Sequence, residues 1–484
     1  MSSLVYLKSK DGSTVYVYSN EKDEDGVYRR RCIGHLDPVT GDIVPNRERS
    51  RSISPKVRSY GVNLLLRDIS DSIGLTESLQ ITFKDTWDSI LSGAFYCLTE
   101  DSPISEMEQW MDFNETPRMW PLNINQFNSI MRTISDDDIE SFFKVWKKRA
   151  GDERFVITHA SMDNSVEKKS KRDFEKLFSM EAEICYGDDT GLPIAYCLHA
   201  IPFRNMYELF DASDRFDWVN ADNVSYVISS EQCESIGLES ILPVSVRYTV
   251  SVPSVETFFK KKVSEYAGDF SYDRPHINTS IQRSGRRERF IHLYYNPSIA
   301  ELETARFLNI INKCRLELEQ RRYVMSHAPI YNNYFLNLGR GHIDLNSERI
   351  MQNNAMAGFR IYISNHISSS TEAIGWYRRN EKANRLLDKM NNDTDLAILK
   401  LYQQPSVKPR IFVQFIALIL NNALESRMIE SGLADETVHS ILYSMKRMLR
   451  VDVGNRKNPM MTEMDPLQEK VVDSMIVHGK RRKK

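Results

Sequence analysis

Met180-Glu-Ala-Glu-Ile-Cys185, then Tyr186-Gly-Asp-Asp-Thr-Gly191, then Leu192-Pro-Ile-Ala-Tyr-Cys-Leu-His199 is the stretch on which the fold turns. Two short apolar-rich runs flank a segment of Gly, Asp and Thr. Such residues tolerate positive φ or hydrogen-bond their own backbone, so the stretch reads as a β-hairpin. Upstream, Phe155-Val-Ile-Thr158 has the composition of a short buried strand. Downstream, a helical stretch around Met206 to Phe216 precedes a third strand, Val224 to Ser229. Strand, hairpin, helix and strand in that order predict a mixed sheet with a crossover, an α/β core.

Working outward from this core, the N-terminal sixty residues alternate in a strand-like way, with Asp11-Gly12 and Asp25-Gly26 between the alternating runs, which predicts a small β-meander. Arg47, Arg49, Arg51, Lys56 and Arg58 follow among serines, a basic linker that can either lie along a phosphate backbone or stay solvated. From Tyr60 to about Gly151 the period becomes helical. Val62, Leu65, Leu66, Ile69 and Ile73 fall on one face, and Ile139, Phe142, Phe143 and Trp146 repeat that spacing behind a Ser135 to Asp138 capping signature. Beyond the core, strand signals at Arg247 to Val252 and Phe290 to Tyr295 read as a β-rich insertion. The core resumes with Phe359 to Ser364, a helix from about Glu372 to Met390 and a buried helix around Phe412 to Leu420.

Composition sets few limits on partners. A chain of 484 residues with 41% apolar and 27% charged residues can build two or three domains. The formal net charge of -2 means that any nucleic-acid surface has to come from local clusters of Lys and Arg. Cys32, Cys97, Cys185, Cys197, Cys233 and Cys314 are far apart with no CxxC pair, which argues against a zinc knuckle or a disulfide framework and fits a reduced, cytoplasmic setting. The histidines show no HExxH or i, i+4 spacing, so no metal site is read from them. The first twenty residues lack the apolar core of a signal peptide, and Ile411 to Leu420 is about half the ~20 residues a membrane span needs, so no membrane segment is expected.

Several segments taken in order carry a family likeness. Tyr60-Gly-Val-Asn-Leu-Leu-Leu opens the helical region, Gly187 to Tyr196 matches a "G…TGLPI.Y" hairpin, and Tyr226-Val-Ile-Ser229 and Tyr248-Thr-Val-Ser-Val-Pro253 follow as strands. Ala357-Gly-Phe-Arg-Ile-Tyr-Ile-Ser-Asn365 is similar to a "DGF…TN" strand, Tyr377 opens a helix of Y-x2-R-x3-E-x6-K type, and Arg410 to Leu420 is similar to the C-terminal buried helix. Together these resemble the DDE transposases of the insertion-sequence-four superfamily, over about residues 1 to 430. The resemblance implies a multidomain α+β chain with a ribonuclease-H-like mixed-sheet core. The expected division is 1-59, meander and basic linker; 60-151, a helical domain for DNA ends; and 152-240, the first part of the core. The β-rich insertion is 241-355, the second part of the core with the third-acid helix is 356-430, and a C-terminal helical segment and basic tail fill 431-484.

Enzymes of that type cut and join DNA strands with two Mg²⁺ or Mn²⁺ ions held by three carboxylates. The resemblance places those acids at His159, Ser229 and Asn384, with Tyr377 retained, and the Arg and Lys positions of the helix hold Asn380 and Asn391. An imidazole, a hydroxyl and an amide supply no formal negative charge for hard divalent ions, so no cofactor is expected in this chain. Three readings stay open: an inactivated copy, a repurposed DNA-binding or protein-interaction module, and an active recombinase using displaced acids drawn from Asp163, Glu231, Glu381 and Asp388. Tyr377, Asn380, Glu381, Asn384, Asp388 and Asn391 share one helical face, expected to look into the site. Arg378, Arg379 and Arg385 are expected phosphate contacts beside it, and Trp376 a candidate for stacking on a base. Double-stranded DNA and a second copy of the chain are the expected partners.

Overall fold

The computed structural model describes residues 3–9, 14–22, 28–38, 41–45, 56–162, 180–199, 206–210, 214–266, 275–284, 287–336, 343–388, 407–452 and 459–476. They form two compact units, Met1–Arg58 with Leu449–Glu463, and Ser59–Met448 with Met464–Lys484. In the first unit β1 (Ser3–Lys8), β2 (Val15–Lys22), β3 (Tyr28–Leu36) and β4 (Ile43–Pro45) pair antiparallel in sequence order. The alternation that predicts this meander puts Val17 fully inside and leaves its neighbour Tyr16 exposed. The Asp11-Gly12 and Asp25-Gly26 turns lie outside the described residues, as do Arg47, Arg49 and Arg51. β5 (Lys56–Ser59) follows.

The second unit begins with α1 (Gly61–Ser72), α2 (Leu75–Thr82), α3 (Trp87–Thr99), α4 (Met107–Phe113), α5 (Ile124–Met131) and α6 (Asp136–Ala150). Each apolar stripe faces inward: Val62, Leu65, Leu66 and Ile69 of α1 and Phe142 and Trp146 of α6 are buried. The start of α6 is fixed by a reciprocal cap, with Ser135 Oγ accepting the Asp138 amide at 3.2 Å and Asp138 Oδ2 accepting the Ser135 amide at 2.9 Å. Three acids in its first turn and Lys147, Lys148 and Arg149 in its last complement the helix dipole.

The core strands are β6 (Phe155–Met162), β7 (Met180–Gly187) and β8 (Pro193–His199), then, after α7 (Met206–Leu209), β9 (Val224–Ile228). The helix expected at Met206 to Phe216 is thus a single turn in the described residues. α8 (Ser230–Ile236) and α9 (Leu238–Ile241) lead to β10 (Arg247–Ser251), and α10 (Thr257–Tyr266) leads to β11 (His276–Ser284) and β12 (Arg287–Tyr295). Next come α11 (Pro297–Glu319), α12 (Ala328–Tyr334), β13 (Phe335–Leu336), β14 (Asp344–Leu345), α13 (Ser347–Ala355) and β15 (Phe359–Ser364). One eight-stranded sheet takes the order β11-β12-β15-β10-β9-β6-β7-β8. The β6–β7–β8 hairpins are antiparallel, β6–β9 and β9–β10 are parallel, and β10–β15, β15–β12 and β12–β11 are antiparallel again. This is the mixed sheet with a crossover that the core sequence predicts. The segment expected as a β-rich insertion contributes β10, β11 and β12 to that same sheet, and its remainder is mainly helical. The physical reason is edge satisfaction: unpaired strand backbone finds donors and acceptors most directly by extending an existing sheet.

α14 (Ser370–Asp388), α15 (Val407–Glu430) and α16 (Val438–Lys446) complete the helical layers. Ile411, Phe412, Val413, Phe415, Ile416, Leu418, Ile419 and Leu420 of α15 are each at most 2% exposed. A helix apolar on every side belongs in the middle of a core, and each such side chain contributes about 1.5–3 kcal/mol of burial. No helix among the described residues is long and apolar enough to cross a membrane. β16 (Leu449–Asp452) and β17 (Met460–Met461) form a three-stranded sheet with β5 in the order β17-β16-β5, and α17 (Pro466–Met475) is the last described helix.

Candidate functional site

Parallel pairing of β9 with β10 sets Ile228 beside Val250, so the carboxyl ends of the two strands are adjacent. Side chains at such ends converge on a crevice in open mixed sheets. From β9 the chain enters α8 through Ser229, whose hydroxyl accepts the Gln232 amide at 3.2 Å while Gln232 Oε1 accepts the Ser229 amide at 3.1 Å. Ser229 is therefore a helix cap, a role in which aspartate serves equally well.

α14 is fastened over these strand ends by Tyr377. Its hydroxyl lies 2.6 Å from the Ile228 carbonyl and 3.1 Å from that of Thr249, donating across the two, and its ring stacks on Tyr362 of β15 at 4.0 Å. Burial holds the phenol well above its ordinary pKa, so it stays a neutral donor. Over the next two helical turns, Asn380, Glu381 and Asn384 face a cavity of about 440 Å³ that Ser229, Glu231, Ser251 and Tyr377 also line. Asn380 is 4% exposed and its Oδ1 has no hydrogen-bond partner among the described residues. Glu303, another wall of the cavity, accepts the Gly358 amide at 2.8 Å and pairs with Arg360. Burial pushes its carboxyl up, but those two partners outweigh it and the pKa is lowered, so this acid is committed to structure.

The fourth expected participant lies elsewhere. His159 on β6 stands opposite Glu183 on β7, with Nε2 3.9 Å from Glu183 Oε1, and it is not among the residues that line the cavity. The same carboxylate takes His199 Nε2 at 3.2 Å and Arg215 Nη2 at 2.8 Å. Burial drives His159 down to about 4, against the pull of Glu183, so the ring is neutral at physiological pH. Along β6, Val156 and Thr158 share a face with Tyr186 and Ile184 of β7, and Tyr186 packs edge-on against Trp376 of α14. Residues one step along a strand point to opposite faces, so His159 is turned away from α14 while Thr158 is turned toward it. The expectation that His159, Ser229 and Asn384 share one pocket is corrected to Ser229 and Asn384 alone.

The remaining expectations divide in the same way. Glu231 and Glu381 line the cavity, whereas Asp163, Asn391 and the side chain of Asp388 lie outside the described residues. Arg379 stacks on Trp376 at 4.6 Å and rests over Gly191, where φ is +66° and a Cβ would come 2.6 Å from Nη2. It packs half-buried on the β7–β8 hairpin, and Trp376 is 3% exposed in the core, so Trp376 is not placed to stack on a base. Arg378 is exposed and lines a different cavity, with Lys382, Asn421 and His439. The side chain of Arg385 lies outside the described residues. Sequence reading missed the Glu183, His199 and Arg215 cluster because Glu181 and Glu183 alternate with apolar residues and so imitate a solvent-facing edge.

The donors in the cavity do not fit a pair of divalent ions. Among the described residues, no three of its carboxylates, histidines or cysteines bring ligand atoms within 4.8 Å of one another; Cys314, Glu317 and His327, in another part of the fold, do. Ser229 and Asn384 offer neutral oxygens where two-metal chemistry needs anionic ones.

No protein-family model matches the chain, and no curated protein matches it. Among solved structures, it is similar to a piggyBac transposase synaptic complex with hairpin DNA, at a TM-score of 0.31 and 8% identity, covering 80% of this chain and 76% of that one. At that level the likeness assigns no activity to this chain.

Proposed function

We propose that this chain is a transposase-like protein that holds double-stranded DNA, as a homodimer, without cutting it. The observation that carries the reading is the cleft beneath α14. Ser229 at a strand end and Asn384 on the helix face line it together, and these are two of the three positions where the family resemblance implies metal-binding acids. The hydroxyl of Ser229 and the amide of Asn384 can hydrogen-bond sugar and phosphate, but at those two positions they cannot supply the anionic oxygens that two-metal phosphoryl transfer needs. The test is a gel shift with duplexes carrying the terminal inverted repeats, run beside a strand-nicking assay in Mg²⁺ and in Mn²⁺. A retarded complex with no nicked product is the expected result. Cleavage in either metal, or no complex at low salt, overturns it. Light scattering of the complex reads the number of copies.

One observation favours a second reading, an active recombinase with displaced acids: Glu231 and Glu381 line the same cavity as Ser229 and Asn384. Were nicking found, Glu231→Gln and Glu381→Gln separate the cases, since displaced acids require both variants to lose it.

A further inference from the structure

Away from the cleft, α11 and α12 close on a second, small core made of Ile311, Cys314, Leu318, Tyr331 and Phe335. α11 runs for 23 residues yet buries only Ile311, Cys314 and Leu318. A core this thin is the kind that natural proteins reinforce with a metal or a disulfide. After α11 the chain reverses at Arg321, whose φ of 54° lies in the left-handed region that residues with a Cβ rarely enter. That turn carries the short 3-10 segment Met325–His327 back onto the helix. There Cys314, Glu317 and His327 each offer a donor atom, all within 4.8 Å of one another. Cys314 and Glu317 are three residues apart on α11 and so share a face. His327 Nδ1 sits 2.7 Å from Glu317 Oε2, and the Tyr331 hydroxyl donates to that same oxygen at 2.6 Å while accepting the Val324 amide at 3.2 Å.

We propose that Cys314, Glu317 and His327 bind a zinc ion that staples α11 to α12. A thiolate, an imidazole and a carboxylate form the mixed set that borderline Zn²⁺ takes, whereas Mg²⁺ and Ca²⁺ select oxygen alone. Bond lengths of about 2.0–2.3 Å in tetrahedral geometry, with a water in the fourth position, put ligand atoms roughly 3.3–3.7 Å apart, inside the 4.8 Å limit that the three donors satisfy, and the 2.7 Å contact between His327 and Glu317 opens to admit the ion. Tyr331 then serves as the outer partner that orients the Glu317 carboxylate. Burial holds the Cys314 thiol above its ordinary pKa when no ion is present, so binding releases a proton. The competing account is a metal-free hydrogen-bond network of His327, Glu317 and Tyr331, with Cys314 serving only as core.

The experiment uses the full chain, stripped with a chelator and titrated with Co²⁺ and then Zn²⁺. A single equivalent of Co²⁺ is expected to give a thiolate-to-metal charge-transfer band and tetrahedral visible bands, both erased by Zn²⁺. Cys314→Ser removes the charge-transfer band and Cys97→Ser keeps it, while Tyr331→Phe weakens affinity about 10–100-fold. His327→Gln, with its fold checked by circular dichroism, collapses the tetrahedral bands and serves if Cys314→Ser does not fold. The proposal is overturned if the wild-type chain shows no charge-transfer band, if that band survives in Cys314→Ser, or if the tetrahedral bands survive in His327→Gln.

Discussion

The carboxylate of Asp152 accepts the amides of Asp189 and Thr190, both at 3.0 Å, and the Thr190 hydroxyl at 2.6 Å, at 5% exposure. Gly187 gives it room, since a Cβ there would lie 2.1 Å from its Cγ. One side chain therefore explains the Gly and the Thr of the β7–β8 hairpin, and the Arg379 contact explains Gly191. Asp152→Ala leaves three donors without their acceptor and is expected to lower unfolding free energy by about 3 kcal/mol in denaturant titrations. Asp189→Ala removes only an exposed pair with Arg154 and is expected to change it by less than about 1 kcal/mol. Equal losses in the two variants would remove this account. The turn itself was legible from residue types, but the reason for each residue was not, because Asp152 sits 35 residues upstream and reaches the turn only through the β6–β7 pairing.

Helix and strand differ in how much of the site they disclose. The 3.6-residue period of α14 places Tyr377, Asn380, Glu381 and Asn384 on one face, and all four line the cavity. In β6 and β7 a one-residue ambiguity reverses the facing, and the Glu183 cluster could not be told from a wet edge. That cluster gives the β6–β7–β8 elements a pH signature. His199 is pulled down by burial, but its bonds to Cys197 and Glu183 outweigh this and raise it from 6.5 to about 9. Its contribution to stability is full below pH 6.5 and is lost as pH rises toward 9. His159 is depressed to about 4 by burial, so the unfolded chain takes up a proton below pH 6.5 that the folded chain refuses, and stability falls toward pH 4. Glu183 is lowered by its His199 and Arg215 bonds in spite of burial, and its share is likewise lost in acid. The denaturation midpoint is expected to be greatest near pH 6.5, with His199→Gln flattening the alkaline side. A wild-type midpoint that stays level from pH 6.5 to 9 would contradict the assignment.

Across the whole molecule, the mixed sheet was legible because its parallel strands and hairpin have local patterns, while the joining of β12 to β15 and of β5 to β16 was not. β12 joins β15 across the intervening α11 to α13, and β5 joins β16 across nearly the whole chain. Local periodicity carries no record of such pairings. The same distinction between local and global bears on DNA. A formal net charge of -2 over 484 residues gives no long-range attraction, so affinity for duplex has to arise from a few concentrated cations. Arg47, Arg49 and Arg51 are a basic run near the N-terminus that could supply them, and exposed Arg378 is a further charge. If the first three neutralise phosphates, each releases about 0.9 counterion, and replacing all three by Ala reduces the steepness of log K against log salt by about 2.7. Gel shifts of wild type and triple variant over a salt series read that difference directly. Parallel lines with an unchanged slope would place the phosphate contacts elsewhere, and a wild-type slope near zero would remove DNA from the proposed function.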